Sequence, residues 1–369
     1  MKSKHALSLK FFHFLILTFL ALHSAIVARP CTAESAGKVK VGVILPLSGT
    51  LAEFGSVVRN AFELAKSEHP DQFGAVEFIY EDYQSDAKNS ISAFNMIVSN
   101  NDLSAVYIWG TTAAETLAPV AQSRKVPLVA MSISRTVGIN RPLVMRTLGS
   151  ATDLVKPILP YLLEKKITRL TLLHTEWVYT EELAKALKEL AEDKISITTI
   201  SIAKSELNFR PLFPKIAASD PQAVAVFLGT GQISQFYKVM SELKQNYTTI
   251  GDDFFASPVE IQNSGAAIEG AVFPLIKMCS QISSSYLRRY KNDTFISHAT
   301  NAYDMALLFA STAKQVGGGS AFFEALQSPI ERHGICGDFK AADSASTGKY
   351  FDYPIALYRI KNGKIEAAD

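Results

Sequence analysis

The chain has 369 residues, 48% hydrophobic and 20% charged, with 37 lysines and arginines against 35 aspartates and glutamates for a net charge of +2. These proportions fit an ordinary globular core and exclude a disordered chain. Both signs of charge are dispersed with no basic stripe, so no nucleic-acid partner is expected.

Residues 1–36 read as a signal peptide with a short linker. Lys2, Lys4 and Lys10 precede the apolar run Phe11–Leu22, whose length suits the roughly 7–15 residues of a signal core. It falls short of the about 20 apolar residues of a membrane span. Cleavage fits after Ala28, Ala33 or Ser35; an N-terminal anchor helix is the alternative. Cys31 would permit lipid attachment, against which Arg29-Pro30 argues. No later stretch is long and apolar enough to span a membrane. The expected location is periplasmic or secreted after signal cleavage. An oxidising compartment would permit Cys279 and Cys336 to pair, and two separate buried thiols are the alternative.

The mature chain opens with an apolar strand, Val39–Leu45, that runs into the turn Pro46-Leu47-Ser48-Gly49 and then a helix. A strand, a small-residue loop and a helix start can aim backbone N–H groups at a ligand. Strand and helix then alternate. Strands are predicted at Val76–Tyr80, Ala105–Trp109 and Pro127–Met131, with helices over Phe54–Ser67, Ala87–Ser99 and Ala113–Ser123. Short apolar runs suit strands buried on both faces, and three- and four-residue apolar steps suit helices.

The rhythm restarts after Asp153. Strands are predicted at Arg169–His174, Ile195–Ile200, Ala223–Leu228 and Thr249–Asp252, with helices over Thr180–Ala191, Arg210–Ser219 and Gln232–Gln245. After a strand at Ala271–Pro274 come helices over Ser283–Tyr290, Asn301–Gln315 and Phe322–Gln327, and a last strand at Tyr353–Ile360. The fold class is α/β: two doubly wound parallel-sheet, Rossmann-like lobes joined by a multi-strand hinge. Lobe I takes residues 37–147 and 275–345; lobe II takes 148–274 and 346–369. Such a hinge restricts motion mainly to opening and closing of the cleft.

No catalytic motif stands out. There is no Gly-x-Ser-x-Gly elbow, phosphate loop, His-Glu-x-x-His or dinucleotide fingerprint. His69, His174, His298 and His333 are scattered, and only His174, at a strand end, is expected near the cleft. The chain therefore reads as a binding protein without catalytic residues, metal or cofactor. A secreted hydrolase is the enzyme alternative.

The loops at the carboxyl ends of the strands are the candidate site. Thr111, Thr112 and Ala113 open a helix, and Ser132, Ile133 and Ser134 follow the next strand; together they form a neutral, donor-rich pocket suited to a carboxylate. Thr112 and Glu115 also spell a capping box that would merely close its own helix. The second lobe offers Trp177 and Tyr179, Gly231, and Asp253 with Phe254 as walls. An acid there could pair with a ligand ammonium, and aromatics could enclose an apolar side chain.

These residues resemble the leucine/isoleucine/valine-binding group of periplasmic solute-binding proteins, receptors of ABC importers. The resemblance covers essentially all of the mature chain. It is carried by Gly42-Val43-Ile44-Leu45-Pro46-Leu47-Ser48-Gly49 with Ala52 and Gly55, by Tyr80-Glu81-Asp82 with Ser85-Asp86, and by Val126–Val129 and Met145-Arg146-Thr147. It implies a type I periplasmic binding fold and carboxylate contacts at Thr112 or Ala113, Ser132, Ile133 and Ser134. It also implies an ammonium-binding acid at Asp253 and an aromatic wall at Tyr179. The expected partners are a small carboxylate-bearing ligand, such as an amino acid or related metabolite, and the permease subunits of an ABC importer, with the receptor itself a monomer. A ligand-sensing receptor coupled to a signalling protein is the alternative.

Overall fold

The computed structural model describes residues 37–292 and 294–368. The signal-peptide reading lies outside them. In the first lobe, β1 (Val39–Leu45), β2 (Val76–Asp82), β3 (Ala105–Trp109), β4 (Leu128–Met131) and β5 (Val144–Arg146) alternate with α1 (Ala52–Glu68), α2 (Asn89–Asn100) and α3 (Thr111–Ser123). The chain then builds the second lobe. Helices α4 (Ala151–Val155) and α5 (Ile158–Glu164) lead to β6 (Arg169–Thr175), α6 (Val178–Ala191), β7 (Ser196–Ile202), α7 (Leu212–Ala218), β8 (Ala223–Phe227), α8 (Gln232–Glu242), β9 (Thr248–Gly251), α9 (Pro258–Ser264) and β10 (Val272–Ile276). Helices α10 (Ser280–Tyr290), α11 (Ile296–Val316) and α12 (Ser320–Leu326) follow, then β11 (Glu331–Gly334), β12 (Gly337–Ser344), β13 (Gly348–Asp352), β14 (Ile355–Lys361) and β15 (Lys364–Ala367).

The first sheet has eight strands in the order β11-β12-β13-β5-β4-β3-β1-β2, and the second seven in the order β15-β14-β10-β9-β8-β6-β7. Strand β1 pairs in parallel with both β2 and β3, and β6 with both β7 and β8. In each lobe the chain therefore reverses its direction of travel across the sheet beside its first strand, the crevice where open α/β sheets hold ligands. Strands β3 and β8 are buried along their whole length, as expected for parallel strands covered on both faces. Helix α1 buries Phe54, Val57, Val58, Ala61, Phe62 and Ala65, one helical stripe, and packs along α11.

Sheet membership moves two lobe boundaries. The sequence reading returns the chain to the first lobe at 275 and sends everything after 345 to the second. Instead β10 runs to Ile276 in the second sheet, whereas β13 pairs in parallel with β5 through Lys349–Met145 and Tyr350–Arg146. Buried Arg146 fixes that junction: its Nη2 donates to Thr347 O at 3.2 Å, and its guanidinium lies 5.2 Å from the Tyr350 ring centre. Burial pulls its pKa down to about 10. The lobes are thus joined after β5, after β10 and between β13 and β14.

Cys279 and Cys336 are paired in a disulfide, with Cα atoms 5.3 Å apart. The bridge ties the start of α10, just past the second crossing, to the β11–β12 turn.

Candidate functional site

A cavity of about 350 Å³ lies between the lobes. From the first lobe it is lined by Trp109–Ala113 after β3, Met131–Ile133 after β4, and Tyr83–Ala87 after β2. The second lobe contributes Trp177, Tyr179, Lys204, Asp253 and Phe254, and helix α11 adds Ser297 and His298. Of the candidate residues, Thr111, Thr112, Ala113, Ser132, Ile133, Trp177, Tyr179, Asp253 and Phe254 line this one space. Ser134 and Gly231 do not. Ser134 is fully buried and donates to Glu115 Oε1, because its loop turns back onto α3. Gly231 caps α8, and its N–H donates to Glu260.

Gly110 starts α3 with φ +107°, a conformation that favours glycine. It makes the first intrahelical bond, accepting from Ala114 N at 2.8 Å. The N–H groups of Thr111, Thr112 and Ala113 precede that bond and, with the positive end of the helix dipole, suit an anion. The capping-box alternative does not form. Glu115 instead accepts from Ser134 Oγ and from Thr136 Oγ1 at 2.8 Å, pinning the β4 loop beside α3. Ile133 N donates to Thr111 Oγ1 at 3.4 Å, and Ser134 N to Ser132 Oγ at 3.2 Å. Both hydroxyls act as acceptors there, so their own protons can turn to a ligand. Ser297, 3% exposed, brings a hydroxyl with no partner among the described residues.

The opening turn has a different role from the one its sequence suggests. Leu47 N and Ser48 N donate to Asp82 Oδ1 at 2.8 and 3.3 Å, Ser48 Oγ to Asp82 Oδ2 at 2.6 Å, and Leu51 N to Ser85 Oγ at 2.9 Å. Burial alone would raise the Asp82 pKa, but these bonds and that from Gln84 N hold it below its usual value. The turn is locked to the end of β2, and its contribution to the cavity wall is Leu51.

On the opposite side four side chains form a chain of hydrogen bonds. Trp109 Nε1 donates to His298 Nδ1 at 3.0 Å, His298 Nε2 donates to Asp253 Oδ2 at 2.9 Å, and the Tyr179 hydroxyl donates to Asp253 Oδ1. An indole N–H can only donate, so His298 must accept on Nδ1 and carry its proton on Nε2. Burial, followed by the neighbouring Asp253, pushes the Asp252 carboxyl well up. Asp252 is fully buried, and Asp253 is the member of the pair that lines the cavity. Burial and Asp253 likewise hold the Tyr179 phenol protonated.

His298 is the residue that the sequence reading misses. His174, placed there instead, contacts Thr175 O at 3.1 Å and does not line the cavity. The only local cue is the Phe295-Ile296-Ser297-His298 helix start, where Phe295 adopts φ +50°. Trp177 bridges the lobes, its Nε1 donating to Thr112 Oγ1 at 3.1 Å, while Lys204 Nζ sits 5.0 Å from its ring centre.

Two doubly wound lobes that converge their strand ends on one interlobe cavity have the architecture of a solute-binding receptor. Residues 38–364 match the periplasmic binding protein family, and the chain belongs to it. It is 26% identical over 215 residues to Leu/Ile/Val-binding protein homolog 6 of Brucella abortus (strain 2308), covering 56% of this chain and 55% of that one. The chain thus spans about half the length of that curated relative. The leucine-binding protein LivK of Thermotoga maritima MSB8 superposes with a TM-score of 0.80 at 17% identity, over 90% of this chain and 98% of its own. A solute-binding protein of an ABC transporter from Rhodopseudomonas palustris BisB5, in complex with 3,4-dihydroxybenzoic acid, gives 0.77 at 20%, over 89% and 95%. At these identities the superpositions establish the type I periplasmic binding fold.

Proposed function

We propose that the protein is an extracytoplasmic receptor that traps a small carboxylate-bearing solute between its lobes and hands it to an ABC importer. The observation that carries this reading is the neutral donor set at the polar end of the cavity: the first-turn N–H groups of α3 with the hydroxyls of Thr111, Thr112 and Ser132. A helix N-terminus with convergent hydroxyls compensates an anion without burying a second charge. The two structural relatives support the head-group assignment, since leucine and 3,4-dihydroxybenzoic acid share a carboxylate and little else. The Cys279–Cys336 bridge fits an oxidising compartment outside the cytoplasm. Among the described residues no helix is long and apolar enough to cross a membrane. The receptor is proposed to act as a monomer, with no cofactor.

Thermal shift with matched acids and primary amides tests this. Acids should raise the melting temperature, since a ligand specific to the native state stabilises it, and the corresponding amides should leave it unchanged. Equal shifts by acid and amide would remove the carboxylate from the reading.

A further inference from the structure

We infer that the cleft selects carboxylates that carry no ammonium group: organic acids whose tail is apolar or aromatic. This rests on the carboxylate reading of the same cavity. The acid expected to receive an ammonium, Asp253, already accepts one hydrogen bond on each oxygen, from Tyr179 and from His298 Nε2. His298 is held in that donating role by Trp109. The side chains of His298 and Asp253 are 11% and 13% exposed, so the pair is nearly dry and its partners are not readily exchanged for water.

The aromatic walls offer no substitute. Of the two indoles lining the cavity, Trp177 already holds the Lys204 ammonium, where a second cation would meet a like charge, and Trp109 is stacked on Phe54 at 4.9 Å. The polar hydrogens of the aromatic walls are also engaged: Trp109 Nε1 on His298, Trp177 Nε1 on Thr112, and the Tyr83 hydroxyl on Trp109 O at 3.1 Å. The other lining acid, Asp86, is exposed at the rim and accepts from Lys88 N at 3.0 Å. What remains unengaged is neutral and able to donate: the α3 amides and the hydroxyls of Thr111, Ser132 and Ser297. A carboxylate satisfies such donors, whereas an α-ammonium would have to share Asp253 with two donors already seated on it, in a nearly dry site.

Isothermal titration calorimetry with pairs that differ only in the amino group decides the matter: 3-phenylpropanoate against phenylalanine, and 4-methylpentanoate against leucine, with the two primary amides as controls. The expected result is that each amino-free acid binds tighter than its amino acid by about tenfold or more. Amino acids that bind as well or better overturn the inference and leave the carboxylate reading standing. Amides that bind as well as acids overturn that reading and the inference with it, as does the absence of binding by every acid at millimolar concentration. His298→Leu frees one Asp253 oxygen and should narrow the gap within each pair. Tyr179→Phe frees the other and should do the same, so that a folding defect in one variant leaves the second to report. A gap unchanged in every folded variant overturns the role given to Asp253.

Discussion

Asp304→Asn should convert a pH-sensitive lobe into one whose stability changes less with pH. Asp304 lies on α11, 3% exposed, with Oδ1 accepting from Ile335 N at 2.8 Å and Oδ2 near the Tyr353 hydroxyl at 3.5 Å. Among the described residues no cation pairs with it, and burial raises its pKa to about 7, against the bonds from Ile335 and Tyr353 that lower it. Because the folded value lies above the unfolded one, the native state binds the extra proton. The benefit is whole below about pH 4 and is lost as pH rises through 7. A rise of about 3 units corresponds to about 4 kcal/mol in total, of which about 2.5 kcal/mol falls between pH 5 and 8. Asparagine keeps the acceptor for Ile335 and never ionises. Urea unfolding of both proteins at pH 5 and 8 isolates the effect, because contributions from other titrating groups cancel in the double difference. The variant should gain on the parent by about 2–3 kcal/mol between the two pH values. A double difference near zero would refute the assignment of a buried, proton-holding carboxyl to this site.

Replacing both Cys279 and Cys336 by serine opens a loop with a sequence separation of 57 and should cost about 4 kcal/mol by the chain-entropy relation, read as a lower urea midpoint; an unchanged midpoint would mean the bridge constrains nothing. Gly55→Ala should lose about 1–3 kcal/mol in the same assay, because a Cβ there would stand 2.1 Å from the Pro46 carbonyl oxygen. A midpoint equal to that of the parent would contradict the close approach of α1 to the opening turn.

Much of the architecture is legible because its signals are local. The runs Val39–Leu45, Ala105–Trp109 and Ala223–Phe227 are short, apolar and bounded by turn residues, and each forms a strand. The meander β11–β13 is not visible in this way. Its residues, such as Glu331–Gly334 and Gly348–Asp352, are polar or half-exposed, and pairing at a sheet edge holds them in place. Helices α4, α5 and α9, of five to seven residues, show no periodicity of their own, whereas the equally short α7 and α12 overlap segments predicted helical.

The site divides on the same line. Thr111–Ala113, Ser132 and Ile133 follow strands in the chain, so strand ends point to them. Ser134 and Gly231 follow strands too, yet Glu115 and Glu260 engage them, and neither pairing has a sequence spacing that announces it. His298 reaches the cavity only because the chain, having left the first sheet after Arg146, re-enters that lobe after Ile276, a long-range return that sequence pattern does not locate.

The bonds that close the cleft share atoms with the proposed site, and this couples closure to recognition. Among the described residues, the side-chain polar contacts across the cleft include Trp177 to Thr112, His298 to Asp253, and Arg135 to Glu189 at 3.4 Å. The last joins partly exposed side chains and contributes little. The first is different, because Thr112 Oγ1 accepts from Trp177 and its single proton is left to point elsewhere. With the lobes together that hydroxyl is oriented as a donor beside the α3 amides; with the lobes apart it is free to rotate and to solvate. A carboxylate would therefore bind the closed form better than the open one, which is the differential affinity a ligand must have to shift the equilibrium between them. The His298–Asp253 bond works in the other direction. It favours closure whether or not a ligand is present, and it places the acid of the second lobe on a donor from the first. An ammonium that took Asp253 from His298 would weaken a contact that holds the lobes together, so exclusion of amino groups and retention of the closed form follow from the same bond.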